Sequence, residues 1–148
     1  MYSIKIPTYP QKLKNTENKQ FIYDWVRKKF LILTPEEFVR QNIISYLINE
    51  LQYPSSLIAV EMGIKVNQLQ KRCDIVVYGR NGSAFMIIEC KAPGVKTDQK
   101  VIDQIIRYNM KLQTPYLVIS NGNNTFCVKV NYDSNNYEFL TGLPKMDQ

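Results

Sequence analysis

Apolar positions follow two different periods along this chain of 148 residues. From Phe38 onward, Ile43, Ile44, Leu47, Ile48 and Leu51 recur at the spacing of one helix face. The start of that helix is sharply marked. Thr34 suits the N-cap, Pro35 the first helical position, and Glu37 stands third, completing a capping box. Tyr53-Pro54 ends the run, because the residue before a proline is pushed out of the helical region. A second helix is expected over Gln99–Leu112, where Val101, Ile102, Ile105, Ile106, Tyr108, Met110 and Leu112 alternate with polar residues at helical spacing.

Elsewhere the apolar runs are short and rich in β-branched residues. Leu57–Met62 reads as a first strand, closed by a glycine. The segments 73–78 (CDIVVY) and 84–90 (AFMIIEC) read as two strands joined through Gly79-Arg80-Asn81-Gly82, whose Asn-Gly pair is a strong hairpin signal, so they should pair antiparallel. Lys91-Ala92-Pro93-Gly94 forces a turn, and residues 116–120 and 125–130 supply two further strands. Residues 1–20 read as a polar, basic arm, residues 21–33 as a short helix or extended segment, and residues 136–148 as a tail rich in Asn, Asp and Pro. The order of elements predicts an α/β sandwich with a mixed central β-sheet flanked by helices, the helix after the hairpin acting as a crossover.

Composition narrows the chemistry. The length suits one domain with its own core, and 45% hydrophobic with 22% charged residues is near the globular norm. No apolar run is long enough to span a membrane and the N-terminus lacks an apolar signal core, so a cytoplasmic location is the default expectation. Cys73, Cys90 and Cys127 have no CxxC spacing and lie beside apolar runs, which predicts buried free thiols rather than a zinc site. There is no histidine, which excludes Ser-His-Asp and Cys-His catalysis and the HExxH zinc site together. Nineteen Lys and Arg against 13 Asp and Glu give a net charge of +6, which favours a polyanionic partner. Ten tyrosines raise the idea of a base-stacking surface, but they show no regular interleaving with Lys or Arg along the chain, and such a surface is not expected.

The remaining candidates are carboxylates and lysines. Glu89 and Lys91 are two apart on one strand and so face the same way near its end. An acid and an amine on an otherwise apolar strand are either a partly exposed ion pair or a working site, since an unpaired buried ion is costly. Asp74 opens the partner strand, and the hairpin should bring it to the same edge of the sheet as Glu89. Two carboxylates there make a hard-oxygen site for Mg²⁺, with Mn²⁺ able to substitute. A metal so held polarises a phosphoryl oxygen and activates water, while a lysine ammonium orients the nucleophile or offsets growing charge.

An acid opening a hairpin, followed by acid-x-Lys on the next strand (here Asp74 and Glu89-Cys90-Lys91), resembles the signature of the PD-(D/E)xK nuclease superfamily. The wider set of RKK at 27–29, LTPEEFVRQ at 33–41, Arg72-Cys73-Asp74 and IIECKAP at 87–93 resembles the N-terminal nuclease region of type I restriction enzyme restriction subunits, over roughly residues 20–130. The resemblance implies a restriction-endonuclease-like three-layer sandwich, a nuclease domain over 21–135, and a Mg²⁺-dependent endonuclease acting on DNA. It also implies a role for Gln104 and Tyr108, which match the Gln-x-x-x-Tyr pattern of RecB-type nucleases, flanking the site and holding DNA or the catalytic lysine. Tyr108 can also be read as a half-buried core aromatic. In the same superfamily an acid of the first helix sometimes joins the site, and Glu37 or Glu36 is the candidate, Glu37 having a capping role besides. Arg40, Lys96 and Arg107 are either phosphate contacts or solvated surface.

No GxxxxGK[ST] loop occurs, so ATP-driven translocation is not expected of this polypeptide. That leaves a stand-alone nuclease, a homodimer, or a piece of an assembly whose motor, specificity or methylation subunits are separate. A non-catalytic nucleic-acid-binding or assembly module of the same fold is the competing expectation, and its mark would be salt-sensitive DNA binding without divalent metal.

Overall fold

Thr34 does cap a helix. In a computed structural model describing residues 1–146, its hydroxyl accepts from the Glu37 N–H at 3.0 Å, and α1 runs Pro35–Asn49. The reciprocal half of the capping box is absent, because the Glu37 carboxylate turns instead to Arg40 and Gln41. Val39, Ile43, Ile44 and Leu47 face the sheet, while Phe38, expected on that stripe, is exposed.

The N-terminal segment departs most from expectation. Residues in the predicted arm and in the stretch after it form a three-stranded antiparallel sheet, with β1 Leu13–Thr16, β2 Lys19–Asp24 and β3 Lys29–Ile32. Cross-strand pairing stabilises what four-residue polar strands cannot show by periodicity. Lys12 and Lys14 lie over the rings of Tyr23 and Phe30, an interleaving of lysine and aromatic residues that arises only when the strands pair.

The main sheet has six strands: β4 Ile58–Val66, β5 Leu69–Tyr78, β6 Ala84–Cys90, β7 Tyr116–Ser120, β8 Thr125–Asn131 and β9 Asn136–Phe139, adjacent in that order. β6 and β7 are parallel and all other neighbours antiparallel, so the sheet is mixed as predicted. The hairpin closes through a longer turn than a two-residue one. Gly79 N–H donates to Ser83 O, the Asn81 side chain accepts from Ser83 N–H, and Gly82 takes a φ of +84°. β4 extends four residues past its expected end, and β9 forms from residues expected in the tail.

α2, Gln99–Asn109, is the crossover between the parallel strands and ends in a short 3₁₀ turn over Met110–Leu112. The sheet separates two cores. On one face α1 meets Ile75, Val77, Met86, Ile88, Val118 and Cys127. On the other, Ile102, Ile106, Met110 and Leu112 meet Val76, Ile87, Leu117, Ile119 and Val128. Helix, sheet and helix give the three-layer sandwich. The N-terminus is tied to it where Ile4 N–H donates to Thr125 O at 2.7 Å. Cys73, Cys90 and Cys127 are free and buried, and burial pushes the Cys127 thiol up to about 12, so these are packed thiols and poor nucleophiles. Among the described residues no helix is long and apolar enough to cross a membrane.

Candidate active site

β5 and β6 pair from the hairpin as far as Ile75 and Ile88, with one register shift between Val77 and Tyr78. Beyond that pair the Asp74 carboxylate replaces backbone as the acceptor, taking the Cys90 N–H on Oδ2 at 2.8 Å. β6 meanwhile stays in parallel register with β7, Glu89 opposite Ile119 and Cys90 opposite Ser120, and Lys91 N–H continues the ladder to Ser120 O. That extended backbone keeps Glu89 and Lys91 on one side, with Lys91 Nζ 3.3 Å from Glu89 Oε2. The fork between β5 and β6 thus gathers Asp74, Glu89 and Lys91, as their spacing predicts.

Two further residues complete the Glu89 side. Lys71 of β5 puts its Nζ 2.7 Å from Glu89 Oε1 and also bonds the side chain of Asn109, the buried last residue of α2. The Asn109 amide donates back to Glu89 Oε1 at 3.4 Å. Lys71 is also 5.1 Å from the ring of Tyr108, which reaches the site through that contact and is 44% exposed, so it is not a core aromatic. Sequence spacing gave no sign of Lys71 or Asn109, which meet only because the end of α2 packs over β5.

On the other flank stands Arg40, only 7% exposed. It grips Glu37 at 2.9 and 2.6 Å and Glu61 at 3.1 Å. Its Nη1 is buried without a hydrogen-bond partner and lies 3.8 Å from Asp74 Oδ1. Glu61 also takes Arg72 at 3.1 Å and Arg27 at 3.5 Å, and it holds a left-handed φ of +52° within β4. A non-glycine residue there is strained by on the order of 1–3 kcal/mol, and the three arginines hold it in place.

The other sequence candidates lie apart. Gln104 is exposed on α2, and its side chain makes no hydrogen bond among the described residues. Arg107 turns to Asn135 O and the Tyr137 ring beside β9. Lys96 is 77% exposed in the loop after Lys91 and pairs with Asp98 at 3.0 Å. Arg40, whose two readings both assumed exposure, is interior, and Glu37 faces it rather than the fork.

The two carboxylates differ in their surroundings. Burial pushes the Asp74 carboxyl above its usual range, with the Glu89 charge adding to it, and the Cys90 amide, Arg40 and Lys91 do not offset this. Burial acts on Glu89 in the same sense, but the Lys71 hydrogen bond and charge, Lys91 and Asn109 outweigh it and hold that carboxyl low. Among the described residues no three His, Cys, Asp or Glu side chains cluster around one point. The donor set is therefore two carboxylates, which fits magnesium, since that ion keeps water and substrate oxygens in most positions. A cation beside Asp74 would relieve the burial and like charge that raise its carboxyl.

Comparisons with known proteins bear on the fold and the family. A structure described as a fragment of a type I restriction enzyme HsdR subunit, from Vibrio vulnificus YJ016, superimposes with a TM-score of 0.51 at 16% identity, over 76% of this chain and 24% of that one. That likeness shows a restriction-endonuclease-like fold, and this chain spans about a quarter of the length of that solved chain. No curated protein matches the sequence. The family model for the type I restriction enzyme R protein N terminus matches residues 35–144, most of the chain, including α1 and all six strands of the main sheet, and the chain belongs to that family.

Proposed function

We propose that this chain is a metal-dependent endodeoxyribonuclease domain, with Asp74 and Glu89 holding Mg²⁺ and Lys91 acting on the scissile phosphate. The observation that carries this reading is the fork itself: two carboxylates from adjacent strands, electrostatically coupled, with an ammonium on the same side. Bound magnesium would supply Lewis-acid activation of the phosphate and of water. The protein's own groups do the rest. Lys91, the more exposed of the two lysines on Glu89, has the freedom to turn from Oε2 toward a phosphate oxygen and offset the charge that grows there. Lys71 and Asn109 hold the Glu89 carboxylate in one orientation from behind. Tyr108, exposed beside Lys71, and Lys96, exposed in the loop after Lys91, are the proposed DNA contacts, while Gln104 and Arg107 have no geometric support for a role. Glu37 and Arg40 act through Asp74 as positioning residues, not as groups that touch DNA.

Family membership supports nuclease chemistry and action with other subunits on DNA. Motor, specificity and methylation subunits, if separate polypeptides, are the partners that this reading names. One observation favours a binding module instead: both Glu89 oxygens already have lysine partners. The test is titration of Mg²⁺ and Mn²⁺ against supercoiled and linear DNA, with Glu89→Ala and Asp74→Ala beside the wild type. Metal-dependent nicking lost in both variants is expected. Nicking that survives either variant, or metal-free DNA binding with no cleavage at any metal concentration, overturns the proposal.

A further inference from the structure

We propose that the outer face of the β1–β2–β3 sheet is a stacking platform for single-stranded nucleic acid, built from Tyr23 and Phe30 with Lys12 and Lys14. It stands apart from the carboxylate site, and it lies outside the matched segment 35–144.

Directly opposite residues of an antiparallel pair share a face. The register sets Lys14 against Phe21, Phe21 against Ile32 and Tyr23 against Phe30, so these residues lie together. Their neighbours Ile22 and Asp24 point the other way and are fully buried. The outer face is left part-open: Phe21, Tyr23 and Phe30 are half-buried and Ile32 is 59% exposed. Tyr23 packs edge-on against Phe30 at 5.3 Å and against Trp25 at 5.1 Å, which fixes the ring planes without covering them. What lies over them is ammonium: Lys12 Nζ is 4.9 Å from the Tyr23 centroid, and Lys14 Nζ is 5.4 Å from that of Phe30.

Part-open rings alone would name no partner, but charge does. Residues 11–32 carry six basic side chains (Lys12, Lys14, Lys19, Arg27, Lys28, Lys29) against Glu17 and Asp24, so a seventh of the chain holds +4 of its net +6. Asp24 is buried against Arg27 and adds no negative surface. Rings on which bases stack, set among lysines that follow phosphates, are the arrangement that takes a single strand, because a duplex offers no open base faces to a flat sheet. A base would take the place of each ammonium on its ring, and the flexible lysine would swing out to the neighbouring phosphate. The platform is also wired toward the carboxylates. Arg27 bridges Asp24, at the end of β2, to Glu61, which holds Arg40 beside Asp74.

The experiment uses the full chain in EDTA, so that no cleavage enters and the result is independent of the nuclease reading. Fluorescein-labelled oligothymidylate is titrated by anisotropy, and the emission of Trp25, the single tryptophan, is followed in parallel. Saturable binding with quenched Trp25 emission is expected. Tyr23→Leu with Phe30→Leu should weaken it about tenfold or more. Lys12→Gln with Lys14→Gln, both at exposed positions, should leave the fold intact and lower the salt slope by roughly 1.4. The proposal is overturned by absent oligothymidylate binding, by a lysine-pair variant that binds with unchanged affinity and salt slope, or by a Trp25 response only to phosphatidylserine vesicles, which would make the face a membrane contact.

Discussion

Asp74 and Glu89 are chemically alike and electrostatically opposite. Glu89 has an ammonium on each oxygen and an amide behind it, so its charge is paid for locally. Asp74 has one backbone N–H and a guanidinium nitrogen 3.8 Å away, outside hydrogen-bonding distance, and burial pushes its carboxyl up. A raised carboxyl stabilises the fold only while protonated. Its contribution is present below the unfolded pKa and is lost as pH rises through the folded one, so at neutral pH ionised Asp74 is a local cost. Asp74→Asn removes that charge and keeps an oxygen for the Cys90 N–H. The variant should therefore melt above the wild type in EDTA at pH 7, each kcal/mol being worth about 2–4 °C for a domain of this size. Magnesium should raise the melting temperature of the wild type and leave the variant's unchanged. A variant that melts lower than the wild type in EDTA would mean that the Asp74 charge is structural. The acid-x-lysine pair and the opening acid were legible because strand alternation fixes sides over two residues. Lys71 and Asn109 were not, because their meeting spans 38 positions and depends on where α2 ends.

At the scale of elements, α1 joins two kinds of stabilisation within two turns. Thr34 closes the helix start, and losing that cap in Thr34→Ala should cost about 1 kcal/mol. One turn on, Arg40 and Glu37 form a buried pair, backed by Gln41, whose side-chain oxygen accepts from Trp25 N–H. Removing one member of a buried pair leaves the other charged and desolvated, so Arg40→Ala should cost about 3–5 kcal/mol. Urea unfolding of both variants checks the order, and an Arg40→Ala midpoint at or above that of Thr34→Ala would mean that water reaches Glu37 and the network is not structural. The cap, the helix and the Asn-Gly hairpin were readable because each is encoded within a few adjacent residues. β1–β3 and β9 were not, since four-residue segments such as LKNT and NYEF are too short for a pattern to stand out and owe their form to the strand beside them. Glu37 was half-readable: its backbone N–H does donate to the Thr34 cap, but its carboxylate answers to Arg40, seen only once the helix has turned.

Over the whole molecule, the carboxylates that brace one element against another share a sign. Burial raises Asp24, but its bonds to Arg27 and to the Val26 and Arg27 amides win and hold it low. Glu61 is likewise held low against burial by Arg40, Arg27 and Arg72, and Glu89 by Lys71 and Lys91. Together they join the N-terminal sheet, α1, β4, β5 and β6. A carboxyl lowered in the folded state contributes stability that is present above the unfolded pKa and lost as pH falls through the folded one. Among the carboxylates of the described residues Asp74 alone runs the other way. Three against one, on a chain already at +6 whose positive charge grows as acids protonate, makes acid the weak direction. The melting temperature should hold from pH 7 to about 5 and then fall steadily below about pH 4, where unfolded carboxyls take up protons. Asp24→Asn should start lower at pH 7 and fall less steeply in acid, since part of what acid removes is already gone. Parallel slopes for variant and wild type would show that the Asp24–Arg27 pair carries none of the acid sensitivity, and that the N-terminal sheet is held to the domain by packing of Ile22 rather than by charge.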